Sequence, residues 1–447
     1  MTAPLADLTA RLLDAARKAG AEAADALAVH GTSLTIDVRR GALEQAERAE
    51  GTEIGLRVLF GGRQACVSAS DLSDRTIAAL AERAVAMARE APDDPYAGLA
   101  DPGQIARDWD LAALDLTDAA AEPDAAMLEA DCRAVEAAAL ASKGITQVEA
   151  SAGYSAREMH LAASNGFSGG YARTSRSISA VAFTGEGTGM ERDWAGESRT
   201  YQSDLPGAEG IGALAAERAL ARAGAVKPVT GTYPVLFDER VASSLIGHLL
   251  SAVNGAAVAR GASWLRDALG TQVLPEGLSV IEDPHRARIS SSRPFDGEGL
   301  PTRRRAIVEN GILTGWTLDL ATGRKLGMES TANAARGTSS PPSPATSNID
   351  LTQGTRSRED LIRDMGTGLY VTSMIGSTIS PTTGDYSRGA AGFWVQNGVI
   401  SHPVNECTIA GNLRDMLLRL IPANDARAHL STRVPSCLID GLTLAGA

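Results

Sequence analysis

Apolar residues near the start of the chain recur at helical spacing. Leu5, Leu8 and Leu12 lie three or four positions apart, which predicts an amphipathic helix over 5–19. The following stretch, from SLTIDVRRGALEQ onwards, alternates apolar and polar residues and is broken by glycines. This pattern predicts a β-meander with a hairpin turn at Gly61-Gly62. A return to helical spacing then predicts a second helix.

The same order of elements is predicted a second time. After the helix predicted over 74–90, a connector rich in Pro, Asp and Gly (91–103) marks a boundary, and helical spacing resumes over 123–142. A second alternating stretch, ITQVEASAGYSAREMHLAAS and beyond, predicts another meander, and 207–223 predicts its closing helix. Two passes of helix, meander and helix indicate an internal duplication.

The last part of the chain differs in composition. It begins with the strand-like TYPVLFD and holds the densest glycine motifs, including RPFDGEG, NGILTGW and TGDYSRGAAGFWVQNG. The sequence therefore predicts an α+β protein with helix-plus-β-meander N-terminal (1–118) and middle (119–228) domains, followed by a β-rich C-terminal domain (229–447). The Pro- and Ser-rich segment 336–348 predicts a surface loop that becomes ordered only at an interface.

Composition narrows the class of protein. The chain has 447 residues, of which 44% are hydrophobic, enough to bury two or three cores. Its net charge of −12 disfavours a nucleic acid or an anionic membrane as the main partner. No apolar stretch reaches the roughly 18 residues of a membrane span, and the N-terminus lacks the pattern of a signal peptide. We therefore expect a cytoplasmic protein.

No residue pattern predicts a self-contained metal site. The four cysteines (Cys66, Cys132, Cys407 and Cys437) are widely spaced and form no CxxC pair. The six histidines are far apart and none is followed by glutamate, so the helical His-Glu-x-x-His arrangement is missing from the sequence. Because a catalytic zinc needs about three protein ligands, we predict no catalytic metal site in this chain.

Two further motifs favour an ordinary interpretation. The stretch from Gly384 to Gly389, with Ser387 inside it, comes near the pattern of a nucleophile elbow. It has one residue too many and lacks the strand-to-helix setting, which favours a glycine-rich turn. The arginine run 303–305 is compatible with an anion site, but acidic residues lie close by in sequence, which favours a solvated face.

The segment SSLIGHLLSAVNG (243–255) predicts an apolar helix with His248 in its middle. At 3.6 residues per turn, His248 shares a stripe with Ser244, Ser251 and Gly255, and larger apolar residues flank that stripe. A histidine on a small, polar stripe either forms a hydrogen bond across a close helix contact or faces a cavity. Residue spacing leaves both alternatives open.

Several long motifs resemble one family. The stretches TGDYSRGAAGFWVQNG (383–398), HPVNECTIAGNLRDM (402–416), RPFDGEGLPTRRR, ENGILTGW and ATGRKLG are similar to the C-terminal region of the TldD/PmbA family. Upstream, GTEIGLRVLFGGRQACVSASDLS resembles its N-terminal domain. The motifs occur in the right order, and the resemblance extends over essentially the whole chain. The runs RGAAGFW and GHLLSA resemble the PmbA branch, also called TldE.

That resemblance implies a function. TldD and PmbA/TldE proteins form a cytosolic zinc metallopeptidase complex that trims or degrades peptides and unfolded polypeptides. The TldD subunit holds its zinc through His-Glu-x-x-x-His and a distant cysteine. At the matching positions this chain has Ser243, Ser244 and His248, so only the second histidine remains. Cys437, in VPSCLID, lies beyond the place of the cysteine ligand. The resemblance thus implies a chain without catalytic residue or cofactor, inactive alone, that completes the chamber of a zinc-bearing TldD-type partner.

The glycine-rich segment around Arg388 is our candidate for the surface that faces substrate or partner. Its two glycines flank alanines, so its backbone allows another strand to approach, and a substrate peptide could lie there as an added strand. Arg388 either binds substrate carbonyls or a carboxylate, or pairs with Asp385 to hold the turn. The full set of residues expected to face substrate or partner is His248, Asp385, Ser387, Arg388, Gly389 and Asn397.

Two other functions stay open from the sequence. One is an autonomous hydrolase, either a homodimer with an unusual site or an enzyme that uses Ser387 as nucleophile. The other is a non-enzymatic regulator of DNA gyrase, which an older family name suggests, although the acidic charge disfavours direct contact with DNA. A TldD-type paralogue is the expected partner, and a homodimer is the alternative when the chain is alone.

Overall fold

A six-stranded antiparallel sheet carries both the N-terminal and the middle parts of the chain. The computed structural model describes residues 4–446, except for the side chain of Ser377. The first part comprises α1 (Leu5–Lys18), β1 (Ala23–Arg39), β2 (Ala42–Phe60), β3 (Arg63–Ala69) and α2 (Asp74–Glu90). After the short α3 (Leu111–Leu114), the second part comprises α4 (Ala125–Leu140), β4 (Ile145–Ala163), β5 (Ser168–Thr184), β6 (Glu191–Arg199) and α5 (Ala208–Ala221). The strands lie in the order β3-β2-β1-β4-β5-β6.

Local sequence patterns explain where these elements begin and end. Leu8 and Leu12 of α1 are fully buried, as their helical spacing predicts. The predicted turn at Gly61-Gly62 is confirmed, because the two glycines have φ values of 57° and 74°, the left-handed conformation that a two-residue hairpin turn requires. The hydroxyl of Ser73 accepts a hydrogen bond from a backbone amide in the first turn of α2 and so caps that helix. The helix-plus-meander prediction for this part is confirmed.

Strands β1 and β4 join the two parts of the sheet. They pair antiparallel from Asp25, opposite Ala163, to Arg39, opposite Glu149. Each part contains a helix, three strands and a helix in the same order, so the predicted repetition of elements is confirmed. The strands from 1–118 and those from 119–228 are thus two halves of one continuous sheet.

The two faces of this sheet have different neighbours. Small residues of β1, such as Ala26, lie in the core beneath α1 and α2. Leu27 is on the opposite face, because successive strand residues point to opposite sides. The C-terminal part covers that opposite face: a Cβ atom on Gly55, which pairs with Leu27, would lie only 2.1 Å from the carbonyl oxygen of Thr338. Glycine at position 55 therefore lets the C-terminal part pack directly on the sheet.

The C-terminal part is built around a sheet that closes on itself. Its helices are α6 (Glu239–Ala252), α7 (Gly255–Ala259), α8 (Leu320–Leu326), α9 (Arg358–Met365) and α10 (Leu413–Leu418). Its strands are β7 (Gly231–Phe237), β8 (Val280–Glu282), β9 (Arg305–Glu309), β10 (Ile312–Leu313), β11 (Ala334–Ala335), β12 (Ser343–Pro344), β13 (Ile349–Leu351), β14 (Gly368–Ile379), β15 (Asp385–Gln396), β16 (Val399–Asn412), β17 (Ile421–Pro422), β18 (Thr432–Arg433) and β19 (Cys437–Ala445).

The order of the larger C-terminal sheet is β16-β15-β14-β7-β19-β17, and an additional pairing of β16 with β19 closes it. Leu245, Ile246 and Leu249 of α6 are fully buried in the adjoining core. A second sheet runs in the order β10-β9-β8-β13-β18. The prediction of an α+β protein with a β-rich C-terminal part is confirmed. None of the helices within residues 4–446 is long and apolar enough to cross a membrane.

The prediction of a surface loop over 336–348 is confirmed only in part: Gly337, residues 339–341 and Ser343 are exposed, but the side chains at both ends of the segment are buried. The side chain of Arg336 is only 2% exposed and forms an ion pair with the buried Asp25 of β1. Asn348 is fully buried, and its side-chain amide donates to the carbonyl oxygen of Asp283 at 2.8 Å. The segment is ordered because it forms the contact between the N-terminal sheet and the C-terminal part. Its Pro and Ser content indicates irregular backbone but says nothing of exposure.

The arginine run 303–305 is a solvated face only in part. Arg303 and Arg304 are exposed, as the sequence predicts. Arg305, however, has a side chain that is 11% exposed, and its Nε donates to a carboxylate oxygen of Glu282 at 2.8 Å. The partner of Arg305 is therefore Glu282, and not Asp296 or Glu298, which lie closer to it in sequence.

Asp296 and Glu298, the acidic residues that lie close in sequence to this arginine run, are buried. The carboxylate of Asp296 accepts hydrogen bonds from three backbone amides, and that of Glu298 accepts one from the amide of Leu320 at 2.8 Å. Burial raises the pKa of both carboxyl groups. For Glu298, burial together with the negative charge of Asp296 raises the pKa to about 8. These carboxyl groups hold the RPFDGEG loop in place.

Glu298→Gln is expected to stabilise the protein at alkaline pH. Since the pKa of Glu298 is about 8 when folded and 4.5 in its ordinary environment, the folded state binds more protons between these values, and stability is lost as the pH rises through that window. Glutamine still accepts the amide of Leu320 but never ionises. The variant should be more stable than wild type by on the order of a few kcal/mol above pH 8, and little different near pH 4.

Thermal unfolding of wild type and Glu298→Gln at both pH values measures this effect. Glu309→Gln is the matched control, because Glu309 is exposed at the end of β9. A stability difference between wild type and Glu298→Gln that is the same at both pH values would contradict the assignment.

Candidate functional site

Helix α6 has two unlike faces. The side chain of Asp238 accepts a backbone hydrogen bond and caps its first turn, and large apolar residues on one face fill the core. Ser244 and His248 lie on the other, partly exposed face. The helix ends at Ala252, three residues before the predicted end at Gly255, which instead begins α7. The helix thus fixes the position of His248 at the edge of the C-terminal core.

His248 lies beside Tyr386 and Arg388 of β15. The ring centroids of His248 and Tyr386 are 5.9 Å apart, with the rings inclined at 74°, an edge-to-face contact. Nε2 of His248 is buried and has no hydrogen-bond partner among the described residues. Burial, and secondly the positive charge of Arg388, lower the pKa of His248. The imidazole is therefore uncharged at neutral pH.

Alternate residues of β15 point to opposite faces of the closed sheet. Arg388 lies on the His248 side, and its Nε donates to the carbonyl oxygen of Gly376 in β14 at 2.7 Å. Asp385 belongs to the other set of residues and instead accepts hydrogen bonds from two side chains near the turn. The alternative in which Arg388 pairs with Asp385 is therefore wrong.

Ser387 and Gly389 lie within the paired part of β15. Ser387 is opposite Thr378 of β14 and Ala410 of β16, and Gly389 is likewise paired on both edges. The expectation that a substrate adds as a strand here is wrong, because no free edge remains. Ser387 lies within a strand rather than at a strand-to-helix turn, and no histidine of the described chain forms a hydrogen bond with it. The structure therefore gives no support to a Ser387 nucleophile.

Asn397 lies at the opposite end of β15. With Gly398 it forms the two-residue turn to β16, where the φ values are 52° and 75°. Nine residues of extended strand place this turn about 30 Å from Arg388. The structure thus brings together His248 and Arg388 and separates Asn397 from them. The structure also places Tyr386 in this cluster. Because residues two positions apart in a strand lie on the same face, the position of Tyr386 relative to Arg388 could have indicated this from the sequence.

The side chains around His248 do not fit a zinc ion. Ser244 Oγ donates to the carbonyl oxygen of Val241 at 2.7 Å, within its own helix. Cys437 is buried, its Sγ donates to a backbone carbonyl, and burial raises the pKa of its thiol, which keeps it protonated. Within the described part of the chain, no group of three His, Cys, Asp or Glu side chains is arranged to hold a metal. The guanidinium of Arg388, close to His248, also disfavours a cation.

A network of buried and half-buried ion pairs connects α6 to the N-terminal sheet. Arg240, in the first turn of α6, pairs with Asp193 of β6 at 3.1 Å. Arg427 bridges Glu197 of β6 and Glu239 of α6, at 3.1 and 3.0 Å. Residue spacing gives no signal of this network, because its members come from three distant segments. It holds the helix that carries His248 in a fixed position relative to the sheet.

Comparisons with known proteins agree with this architecture. Three family models match: PmbA/TldA metallopeptidase domain 1 over residues 24–88, the central domain over 109–223 and the C-terminal domain over 230–446. The chain is 38% identical to metalloprotease PmbA of Escherichia coli O157:H7, over 93% of this chain and 90% of that protein.

Solved structures share the fold over nearly the whole chain. A Bacteroides thetaiotaomicron protein, described as a candidate modulator of DNA gyrase, has a TM-score of 0.91 at 27% identity and covers 99% of this chain and 98% of its own. TldE from Thermococcus kodakarensis has a TM-score of 0.84 at 18% identity and covers 98% of this chain and 100% of its own. The second likeness concerns the fold alone.

Proposed function

Because the chain belongs to the PmbA/TldD family of metallopeptidases, we propose that it is a PmbA/TldE-type subunit of a zinc peptidase complex. A TldD-type partner binds the zinc, and this chain completes the chamber in which peptides or unfolded polypeptides are cleaved. The complex acts in the cytoplasm.

The donor set around His248 carries this proposal. The positions that match the first histidine and the glutamate of the TldD motif are Ser243 and Ser244, and a serine hydroxyl replaces neither a zinc ligand nor a carboxylate base. The neighbour of the remaining imidazole, that of His248, is the cationic Arg388. A histidine that binds a metal needs anionic or neutral ligands beside it instead. This donor set supports a role for the chain other than binding the zinc.

In the complex, this cluster binds and orients the substrate. Nε of Arg388 donates to the carbonyl oxygen of Gly376, and the guanidinium also interacts with the hydroxyl of Tyr386. Its remaining N–H donors are available to peptide carbonyls or to a carboxylate. Uncharged His248 packs beside it, edge-to-face with Tyr386, with its Nε2 buried. Tyr386 and the apolar core hold both side chains in place. Holding the peptide in the correct orientation raises the cleavage rate by a large factor, because the reaction then takes place within one complex and does not require free molecules to collide in the right geometry.

Mixing the separately purified subunits tests the proposal. The chain alone should not cleave casein or short peptides, whereas the mixture with the TldD-type paralogue from the same genome should cleave them at least about 10-fold faster than the sum of the two chains. The two chains should also elute together in size-exclusion chromatography. The paralogue alone is the control.

Each rival function predicts a different result from this experiment. Cleavage by the isolated chain as a homodimer would support an autonomous hydrolase and contradict the proposal. A mixture that neither co-elutes nor gains activity would contradict the partnership. No described contact favours regulation of gyrase, and the net charge of −12 opposes direct binding to DNA.

A further inference from the structure

A cavity of about 310 Å³ lies between the N-terminal sheet and the C-terminal part, and the residues of the His248 cluster do not line it. One wall is apolar. Leu27 of β1 and Leu161 of β4 pair directly across the sheet, on the face that the C-terminal part covers. Met159 extends this wall, and Phe295 of the RPFDGEG loop packs against it from the other side. Such a wall suits an apolar side chain of a ligand.

The rim of this cavity carries two arginines that lie directly opposite each other. Arg157 of β4 pairs with Arg173 of β5 in the sheet, and like charges in such a pair destabilise each other. The guanidinium of Arg173 donates to the carbonyl oxygens of Ser290 and Ser292. Arg157 is exposed and has no hydrogen bond or ion pair with any described residue. Its donors are free for a ligand.

The remaining charges around the cavity are also mostly positive. Arg293 and Arg336 line it from the C-terminal part, and Asp296 is the one acidic residue among the residues that line it within the described chain. Asp296 is already held by three backbone amides. The carboxylate that pairs with Arg336 also pairs with a second arginine. In a chain with a net charge of −12, four arginines against one carboxylate form a local positive site that favours an anion.

We propose that this cavity binds the C-terminal residue of a peptide. The apolar side chain lies against Leu27 and Leu161, and the terminal carboxylate lies at Arg157 and Arg173. A volume of about 310 Å³ suits one or two residues. Only the choice of a peptide, as the source of the apolar carboxylate, rests on the proposed peptidase function. The charge and the apolar wall are properties of this chain.

Isothermal titration of the purified chain tests the site with acetyl-Ala-Phe as the free acid and as the amide. The acid should bind, and the amide should bind at least about 10-fold more weakly, because it lacks the charge that the arginines recognise. Arg157→Glu should lower affinity for the acid by a similar factor, and Arg157→Lys should retain part of it. Arg192→Glu is the matched control: Arg192 is an exposed strand residue of β6 with no described partner.

Four results would overturn the proposal. Equal binding of the acid and the amide, or no binding of either at millimolar concentration, would exclude a carboxylate site. Equal effects of Arg157→Glu and Arg192→Glu would exclude this cavity as its place. Binding of 3-phenylpropionate as tight as that of the peptide acid would assign the cavity to free apolar acids and not to peptides. The titration needs no partner subunit, so failure of the mixing experiment would leave its result interpretable.

Discussion

Replacing Asp25 by alanine is expected to lower the free energy of unfolding by about 3–5 kcal/mol, because it leaves buried charge without a partner. Asp25 accepts from Nε of Arg57 at 2.7 Å and forms a second ion pair with Arg336. All three side chains are at most 4% exposed. Burial lowers the pKa of Arg336 to about 10, still well above neutral, so its guanidinium remains charged at neutral pH.

Asp25→Ala should weaken both the N-terminal sheet and the contact between this sheet and the C-terminal part. Arg57 and Asp25 are neighbours within the N-terminal sheet, whereas Arg336 belongs to the C-terminal segment that covers it. Urea unfolding followed by far-UV circular dichroism measures the change. Asp14→Ala is the control, because Asp14 forms only exposed pairs in α1, and its midpoint should not move. A loss below about 1 kcal/mol for Asp25→Ala would show that water replaces the carboxylate.

Replacing Arg388 by alanine is expected to lower turnover by the assembled complex about 10- to 100-fold, the range typical of lost substrate positioning. Arg388 is the charged member of the His248 cluster, and its Nε hydrogen bond to Gly376 fixes its direction. Alanine removes the donors to the substrate. The chain should still fold and bind its partner, because the strand keeps its ladder on both edges.

The control for this variant is Ser387→Ala, one residue earlier and on the opposite face of β15. Peptide turnover, melting temperature and co-elution with the TldD-type partner are measured for both variants. Equal turnover of Arg388→Ala and wild type would assign the arginine to structure alone. Loss of co-elution would place it at the subunit interface and not in the chamber.

Local sequence patterns predict the helices, strands and turns of this chain but not the contacts between them. The spacing of Leu8 and Leu12 predicts α1, and the glycine pair at 61–62 predicts the hairpin, because both depend on neighbouring residues only. The ion pair of Asp25 with Arg336 joins residues 311 positions apart, and no period in the sequence points to it. The Pro- and Ser-rich content of 336–348 likewise does not show that the ends of this segment are buried, because composition does not report what covers a loop.

The candidate site shows the same division. Helical spacing places His248 on a small, polar stripe, and the structure keeps it at the edge of the core. The period of two along β15 separates Arg388 from Asp385, a distinction that the charges alone do not make. Both edges of Gly389 are paired within the fold, which the glycine motif by itself cannot show. Tertiary pairing therefore decided which of the motif residues could meet a substrate.

The metal content of the purified chain tests the central claim most directly. The claim is that this chain contributes a binding surface and no catalytic zinc. Elemental analysis of the chain alone, after dialysis against zinc and then against metal-free buffer, should show far less than one zinc per chain, and His248→Ala should not change the value. About one tightly bound zinc per chain in wild type, lost in His248→Ala, would contradict the claim.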